Sequence, residues 1–313
     1  MSDTKLKDYF LNEGTKIFYR YDKKDSNFPV VVLLHGWVMN FTAMEMTREF
    51  LNSKGISTLN IDIRGHGQSV SDSFSFDLIT KDIRGILDKE KIEEVSLFGY
   101  CMGGMVASSF VGTYPDFVKS VVFVNTTFSN PVLQFPYANP RLMKSFFKNL
   151  YLILKDKEKS YYFMHSWVNL FSEYFLSLKL LYKSFNLFSK KKFEEKTENS
   201  NVDFTKYTDK ADLFINYEGL VATDYRMVKK AYHSIVHINF KSYISKIKVP
   251  TLIITSKNDA ICYSKTSKKI KKMISDSEIC ILTNSDHLSI LQENELINRL
   301  TLDFFVRKVK KEI

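Results

Sequence analysis

A thiol set among glycines is the side chain best placed to do chemistry in this sequence. Val95 to Phe98 are apolar or small and read as a short buried strand. Gly99-Tyr100-Cys101-Met102-Gly103-Gly104 follows as a tight turn, and Met105, Val106, Ala107 and Phe110 then begin a helical apolar spacing. A strand, a glycine turn and a helix with one nucleophile at the apex make a nucleophile elbow. Gly99 and Gly103 permit the close approach of backbones that such a turn needs, and amide dipoles at the head of the helix favour a thiolate. A small buried core residue is the commoner fate of a cysteine. The buried strand before it and the three glycines around it set Cys101 apart.

Acyl transfer also needs a base for the nucleophile, an acid to orient the base, and donors for the oxyanion. Six histidines are available. His35 belongs to the turn after an apolar run, His66 lies between two glycines, and His165, His233 and His237 fall in the long middle of the chain. His287 sits in Asn284-Ser285-Asp286-His287-Leu288-Ser289, a short loop between the last strand and the last helix, where a base reaches an elbow nucleophile. Asp259 follows the run Thr251 to Thr255, and a carboxylate just past a parallel strand faces the edge of the sheet where sites form. Asp286 is a weaker rival for the acid, and Asn125, at the other strand end that offers a position, has no carboxylate. The oxyanion donors are expected to be the backbone N–H groups of Met102, in the elbow, and of Trp37, just after His35-Gly36.

These residues require a sheet to carry them. Asp8–Asn12 and Lys16–Tyr21 read as edge strands. Val30-Val31-Val32-Leu33-Leu34 is an unbroken apolar run of the kind buried on both faces. A helix from about Thr42 to Ser53 ends at Gly55, and a strand from Ser57 to Ile61 follows. Phe76 to Lys89 is helical, with Leu78, Ile79, Ile83, Ile86 and Leu87 on one stripe. After the elbow helix come strands at Val118–Asn125, Thr251–Thr255 and Glu278–Leu282, and a terminal helix from about Gln292 to Val309. Strands alternating with helices imply a doubly wound, mostly parallel sheet.

Alternation stops near Thr126 and resumes at Val249-Pro250. The intervening stretch holds more than half of the aromatic residues and most of the excess of Lys and Arg over Asp and Glu. Its periodicity is helical, as in Phe163, Trp167, Leu170, Phe171, Tyr174 and Leu178. It reads as a helical cap, with part of its aromatic content lining an apolar pocket over the sheet.

Composition narrows the partners. The net charge of +10 comes from scattered lysines with no basic stripe or reader motif, so nucleic acid is not expected. Anionic substrates, and weak association with an anionic membrane surface, fit the charge better. The best apolar stretch, Tyr161 to Phe188, is interrupted by His165, Glu173, Lys179 and Lys183, so no membrane span is expected. The start MSDTKLKDYF lacks the pattern of a secretory signal. Three widely spaced cysteines are no disulfide framework, and a cytoplasmic location is expected. No clustered ligand spacing points to a metal, and no organic cofactor is implied. Nothing in the pattern sets an oligomeric state.

With these pieces placed, the chain resembles α/β-hydrolase-fold proteins of the capped esterase, lipase and epoxide-hydrolase-like branch. The matching pieces are Leu-Leu-His-Gly-Trp at 33–37, Asp-Ile-Arg-Gly-His-Gly-Gln-Ser at 62–69, Gly-Tyr-Cys-Met-Gly-Gly at 99–104, Val-Pro-Thr-Leu-Ile-Ile at 249–254 with Asp259, and Asp286-His287. The order nucleophile, acid, histidine also matches. The cysteine at the apex resembles that of dienelactone hydrolases and polyhydroxyalkanoate synthases, whereas the branch as a whole carries serine. The resemblance implies an α/β-hydrolase core over 1–127 and 246–313, with the cap as an insertion over 128–245. The function expected is an acyl hydrolase acting on a small ester, lactone or thioester through Cys101, His287 and Asp259. An acyltransferase on the same residues and a non-catalytic binding protein on the same scaffold are the alternatives.

Overall fold

The computed structural model describes residues 8–37, 39–128, 225–259 and 261–309. Most of the expected cap, residues 129–224, lies outside the described residues. Elements are numbered here over the described residues alone.

Eight strands form one sheet: β1 (Asp8–Asn12), β2 (Thr15–Asp22), β3 (Val30–Leu34), β4 (Thr58–Ile61), β5 (Val95–Tyr100), β6 (Val118–Val124), β7 (Thr251–Ser256) and β8 (Ser277–Leu282). Their order across the sheet is β1-β2-β4-β3-β5-β6-β7-β8. β1 with β2 and β2 with β4 are antiparallel; every other pair is parallel.

The apolar runs are continuous because both faces of the sheet are covered. In β3, Val32 and Leu34 enter one core, and Val31 and Leu33 enter the other. β6 divides the same way, with Val121 and Phe123 opposite Val122 and Val124. The first face is covered by α2 (Phe76–Glu90), α3 (Met102–Thr113), α4 (Tyr225–His237), α5 (Lys241–Ile244) and α6 (Ser264–Met273). The second face is covered by α1 (Glu45–Ser53) and by α7 (Ser289–Gln292) with α8 (Asn294–Lys308). α2 follows its stripe: Ile79, Ile83, Ile86 and Leu87 are buried, and Ser75 Oγ accepts the Leu78 N–H at 3.1 Å to cap it. Although α4 and α5 fall inside the range expected for the cap, Met227, Ala231, Ile235, Phe240 and Ile244 join the core of the first face.

Beyond shifts of one residue at strand and helix ends, three features differ from the sequence reading. Phe41–Met44 is a separate 3-10 turn before α1, set off by Asn40, whose side chain accepts the Thr42 N–H at 3.0 Å. β5 runs through Gly99 and Tyr100, so the strand leads directly into Cys101. A short helix, α7, precedes the terminal helix α8 and is separated from it at Glu293. Among the described residues, no helix is long and apolar enough to cross a membrane.

Candidate active site

β5 delivers Cys101 to the carboxyl edge of the sheet, between β3 and β6. Cys101 has φ 51° and ψ −113°, a left-handed conformation that costs a residue with a Cβ about 1–3 kcal/mol. Neighbouring bonds hold it there. The Cys101 N–H donates to Val124 O at 3.0 Å, and Cys101 O accepts from Thr126 Oγ1 at 2.8 Å and from the Gly104 N–H at 3.1 Å. The flanking glycines are steric requirements: a Cβ on Gly99 would lie 2.5 Å from Gly103 O, and one on Gly103 would lie 2.0 Å from Leu34 O. α3 starts immediately after, so Cys101 is its N-cap residue.

Asp259 lies just past β7 and is buried. Its Oδ1 accepts the N–H groups of Ile261 and Cys262, both at 2.8 Å. Its Oδ2 is 2.9 Å from His287 Nδ1. Asp286 does not compete for the imidazole: its Oδ1 accepts the Leu288 N–H at 2.9 Å and closes the loop on itself.

The backbone that carries His287 is fastened from below. Tyr100 Oη donates to His287 O at 2.7 Å, and Asn125 Nδ2 lies 3.0 Å from both Asp286 O and His287 O. Asn125 Oδ1 accepts the Ser256 N–H at 2.9 Å, and Nδ2 also lies 3.0 Å from Ser289 Oγ. Asn125 itself has φ 45°. Its lack of a carboxylate is plain in sequence, but its work as the tie between β6, β7 and the histidine loop is not.

One donor atom each from Cys101, Cys262 and His287 lies within 4.8 Å of the others. A hydrogen bond from the Cys262 thiol holds Cys101 well below the usual thiol range; burial opposes this, and His287 adds to it. Cys262 is displaced upward by the same bond and by its burial. Burial disfavours a charged His287, yet Asp259 and the Cys101 sulfur outweigh it, and the imidazole sits well above the ordinary histidine range. Sequence reasoning missed Cys262. The available signal was its place three residues after Asp259, in the loop that wraps that carboxylate.

The other expected residues are placed as follows. Met102 is fully buried at the head of α3 and Trp37 is half-buried just past β3. Neither backbone N–H is used in a hydrogen bond among the described residues. Gly36 packs against Tyr100, whose ring would lie 3.0 Å from a Cβ there. His35 is structural. Its Nε2 accepts the Ile63 N–H at 3.0 Å, so Nδ1 carries the proton and donates to Gly36 O at 2.8 Å. The 62–69 segment is scaffolding too. Asp62 accepts the N–H groups of Phe41 and Gln68 at 2.7 and 2.8 Å. Arg64 and Asp82 form a buried bidentate pair at 2.8 and 2.7 Å. His233 and His237 stack on α4, both exposed, and His165 lies outside the described residues.

Comparison with known proteins supplies the context. Over 280 residues the chain is 24% identical to the AB hydrolase superfamily protein YisY of Bacillus subtilis, covering 88% of this chain and 90% of that one. It is 33% identical to epoxide hydrolase 3 of Siraitia grosvenorii over 113 residues, 34% of this chain and 36% of the other. Its fold is similar to the enol-lactonase of Burkholderia xenovorans LB400, with a TM-score of 0.68 at 20% identity over 96% of this chain and 100% of the other. It is also similar to the esterase of Exiguobacterium antarcticum, with a TM-score of 0.63 at 18% identity over 93% and 96% of the two chains. The family profile described as alpha/beta hydrolase fold matches residues 29–294. The strand–turn–helix elbow at Cys101, the buried doubly wound sheet and this match together place the chain in the alpha/beta hydrolase fold family.

Proposed function

We propose that the protein is an acyl hydrolase that works through a thioester on Cys101. The observation that carries this reading is the Asp259–His287 hydrogen bond of 2.9 Å, aimed at a cysteine on a strained elbow. Among the related proteins are an esterase, an enol-lactonase and epoxide hydrolases, so the class of bond cleaved is argued from this chain's residues.

In the first half-reaction, the Cys101 sulfur attacks the carbonyl carbon of an ester, lactone or thioester. The electron pair of the carbonyl moves to its oxygen, which the Met102 and Trp37 amides receive. As the bond to the leaving group breaks, that group takes a proton from His287 Nε2. In the second half-reaction, His287 removes a proton from water, the resulting hydroxyl attacks the thioester, and collapse releases the acid and restores the Cys101 thiolate beside a protonated His287. Asp259 keeps the imidazole oriented with Nε2 toward the sulfur throughout. The thioester is also open to alcohol or thiol acceptors in place of water, which is the route to acyl transfer.

Intact-protein mass spectrometry after mixing with a panel of esters, lactones and acyl thioesters tests this reading. An acyl adduct on Cys101, lost in Cys101→Ala together with turnover, is the expected result. Analysis of products with and without an added acceptor separates hydrolysis from transfer. Full turnover by Cys101→Ala would overturn the proposal.

A further inference from the structure

We propose that Cys101, Cys262 and His287 form a binding site for a zinc-type divalent cation. The acyl chemistry above uses one thiol and gives the second no part. Yet Cys262 is fully buried, and its donor atom converges with those of Cys101 and His287 to within 4.8 Å. Tetrahedral zinc, with bonds of about 2.3 Å to sulfur and about 2.1 Å to nitrogen, holds its donors about 3.6 Å apart. The three donors therefore need to close by about an ångström or less. Two sulfurs and an imidazole nitrogen select a borderline-soft ion over magnesium or calcium, which take oxygen ligands.

The surroundings are those of a metal ligand set. His287 Nδ1 is engaged by Asp259, which fixes the ring and leaves Nε2 as the nitrogen to offer. A carboxylate behind a ligating histidine is the usual support of such a site. The N–H of Cys262 holds the other oxygen of the same carboxylate, so one short loop, Asp259 to Cys262, supplies both the support and a ligand. The described residues offer three donors here, and the fourth tetrahedral position is for water.

Binding is ligand exchange without redox change. Two sulfur–metal bonds and one nitrogen–metal bond form, and the hydrated ion sheds its water ligands until one remains in the fourth tetrahedral position. Two protons go to solvent: the one shared by Cys101 and His287, and the one on the Cys262 thiol. The bound ion occupies the sulfur that attacks and the nitrogen that moves protons, so it blocks turnover. That consequence rests on the acyl-transfer reading; the binding does not.

Cobalt(II) titration of the reduced, metal-free protein tests the site. We expect one ion per chain, a thiolate-to-cobalt charge-transfer band, tetrahedral visible bands, and displacement by zinc. Cys262→Ser, its folding checked by thermal melting, is expected to weaken binding by at least about tenfold. In the wild type, zinc is expected to protect Cys101 from alkylation while Cys280 still reacts, as read by peptide mass. Absence of the charge-transfer band, equal affinity in Cys262→Ser, or no selective protection would each overturn the site. None of these readouts needs turnover, so a failed acyl adduct on Cys101 leaves the metal site standing, and a failed cobalt titration leaves the acyl reading standing.

Discussion

His35 is a buried acid-sensitive joint, and its contribution can be worked out. Its ring bridges the end of β3 to the 62–69 segment by accepting the Ile63 N–H and donating to Gly36 O. A second proton on the ring would confront the Ile63 N–H in a site without solvent. Burial, with help from nearby His66, accordingly lowers its pKa to about 3 from 6.5. A histidine depressed in the folded state contributes stability that is complete above the unfolded pKa and is lost as pH falls. From pH 6.5 to 4.5 that loss is about 2.3 kcal/mol for His35 alone. His66, lowered by burial to about 4, acts in the same direction. Asp62, raised by burial to about 7, acts in the opposite direction, because the folded state holds its proton while the unfolded state does not. The three groups together leave the unfolded state with somewhat less than one extra proton in this window, a slope of about 1 kcal/mol per pH unit. His35→Gln keeps an acceptor within reach of the Ile63 N–H and has no proton to gain. Urea unfolding, followed by tryptophan fluorescence at several pH values between 4.5 and 6.5, measures both proteins. The variant's stability should fall with acid by about 1.2 kcal/mol per pH unit less than the wild type's. Carboxylates common to both cancel in the difference. Parallel slopes would refute the assignment of His35 as a neutral buried joint.

Two further substitutions probe the scaffold. Gly103→Ala brings a methyl group to 2.0 Å from a backbone carbonyl and is expected to cost at least about 1–3 kcal/mol in urea unfolding, or to prevent soluble expression. Asp82→Ala leaves the Arg64 guanidinium buried without its carboxylate, for an expected loss of about 3–5 kcal/mol; a melting temperature unchanged from the wild type would contradict that pairing.

The sheet was legible because β3, β6 and β7 are apolar at consecutive positions, a pattern that requires cover on both faces. The elbow was legible because its glycines mark backbone contacts no other residue tolerates. Cys101, Asp259 and His287 could be ordered along the chain because each follows a recognisable strand, and the structure brings the three together. Other features depend on loops whose paths have no periodicity. The separation of α7 from α8 at Glu293 leaves no trace in the apolar spacing. The choice of Asp259 over Asp286 turns on which carboxylate points at the imidazole, and Asp286 satisfies its own loop instead. Cys262 reaches Cys101 only because the loop after β7 folds back around Asp259, a contact between residues far apart in sequence.

Asn125 has a consequence for how this site can change. Its amide nitrogen faces two carbonyl oxygens on either side of the His287 peptide, and its amide oxygen receives the Ser256 N–H. An aspartate there would set a negative oxygen against both carbonyls and release the loop it was meant to serve. The end of β6 is therefore closed to a carboxylate by the residue that steadies His287. Moving the carboxylate from Asp259 to that position would require the histidine loop to find a new anchor in the same step, so drift by single substitutions is confined to the arrangement present.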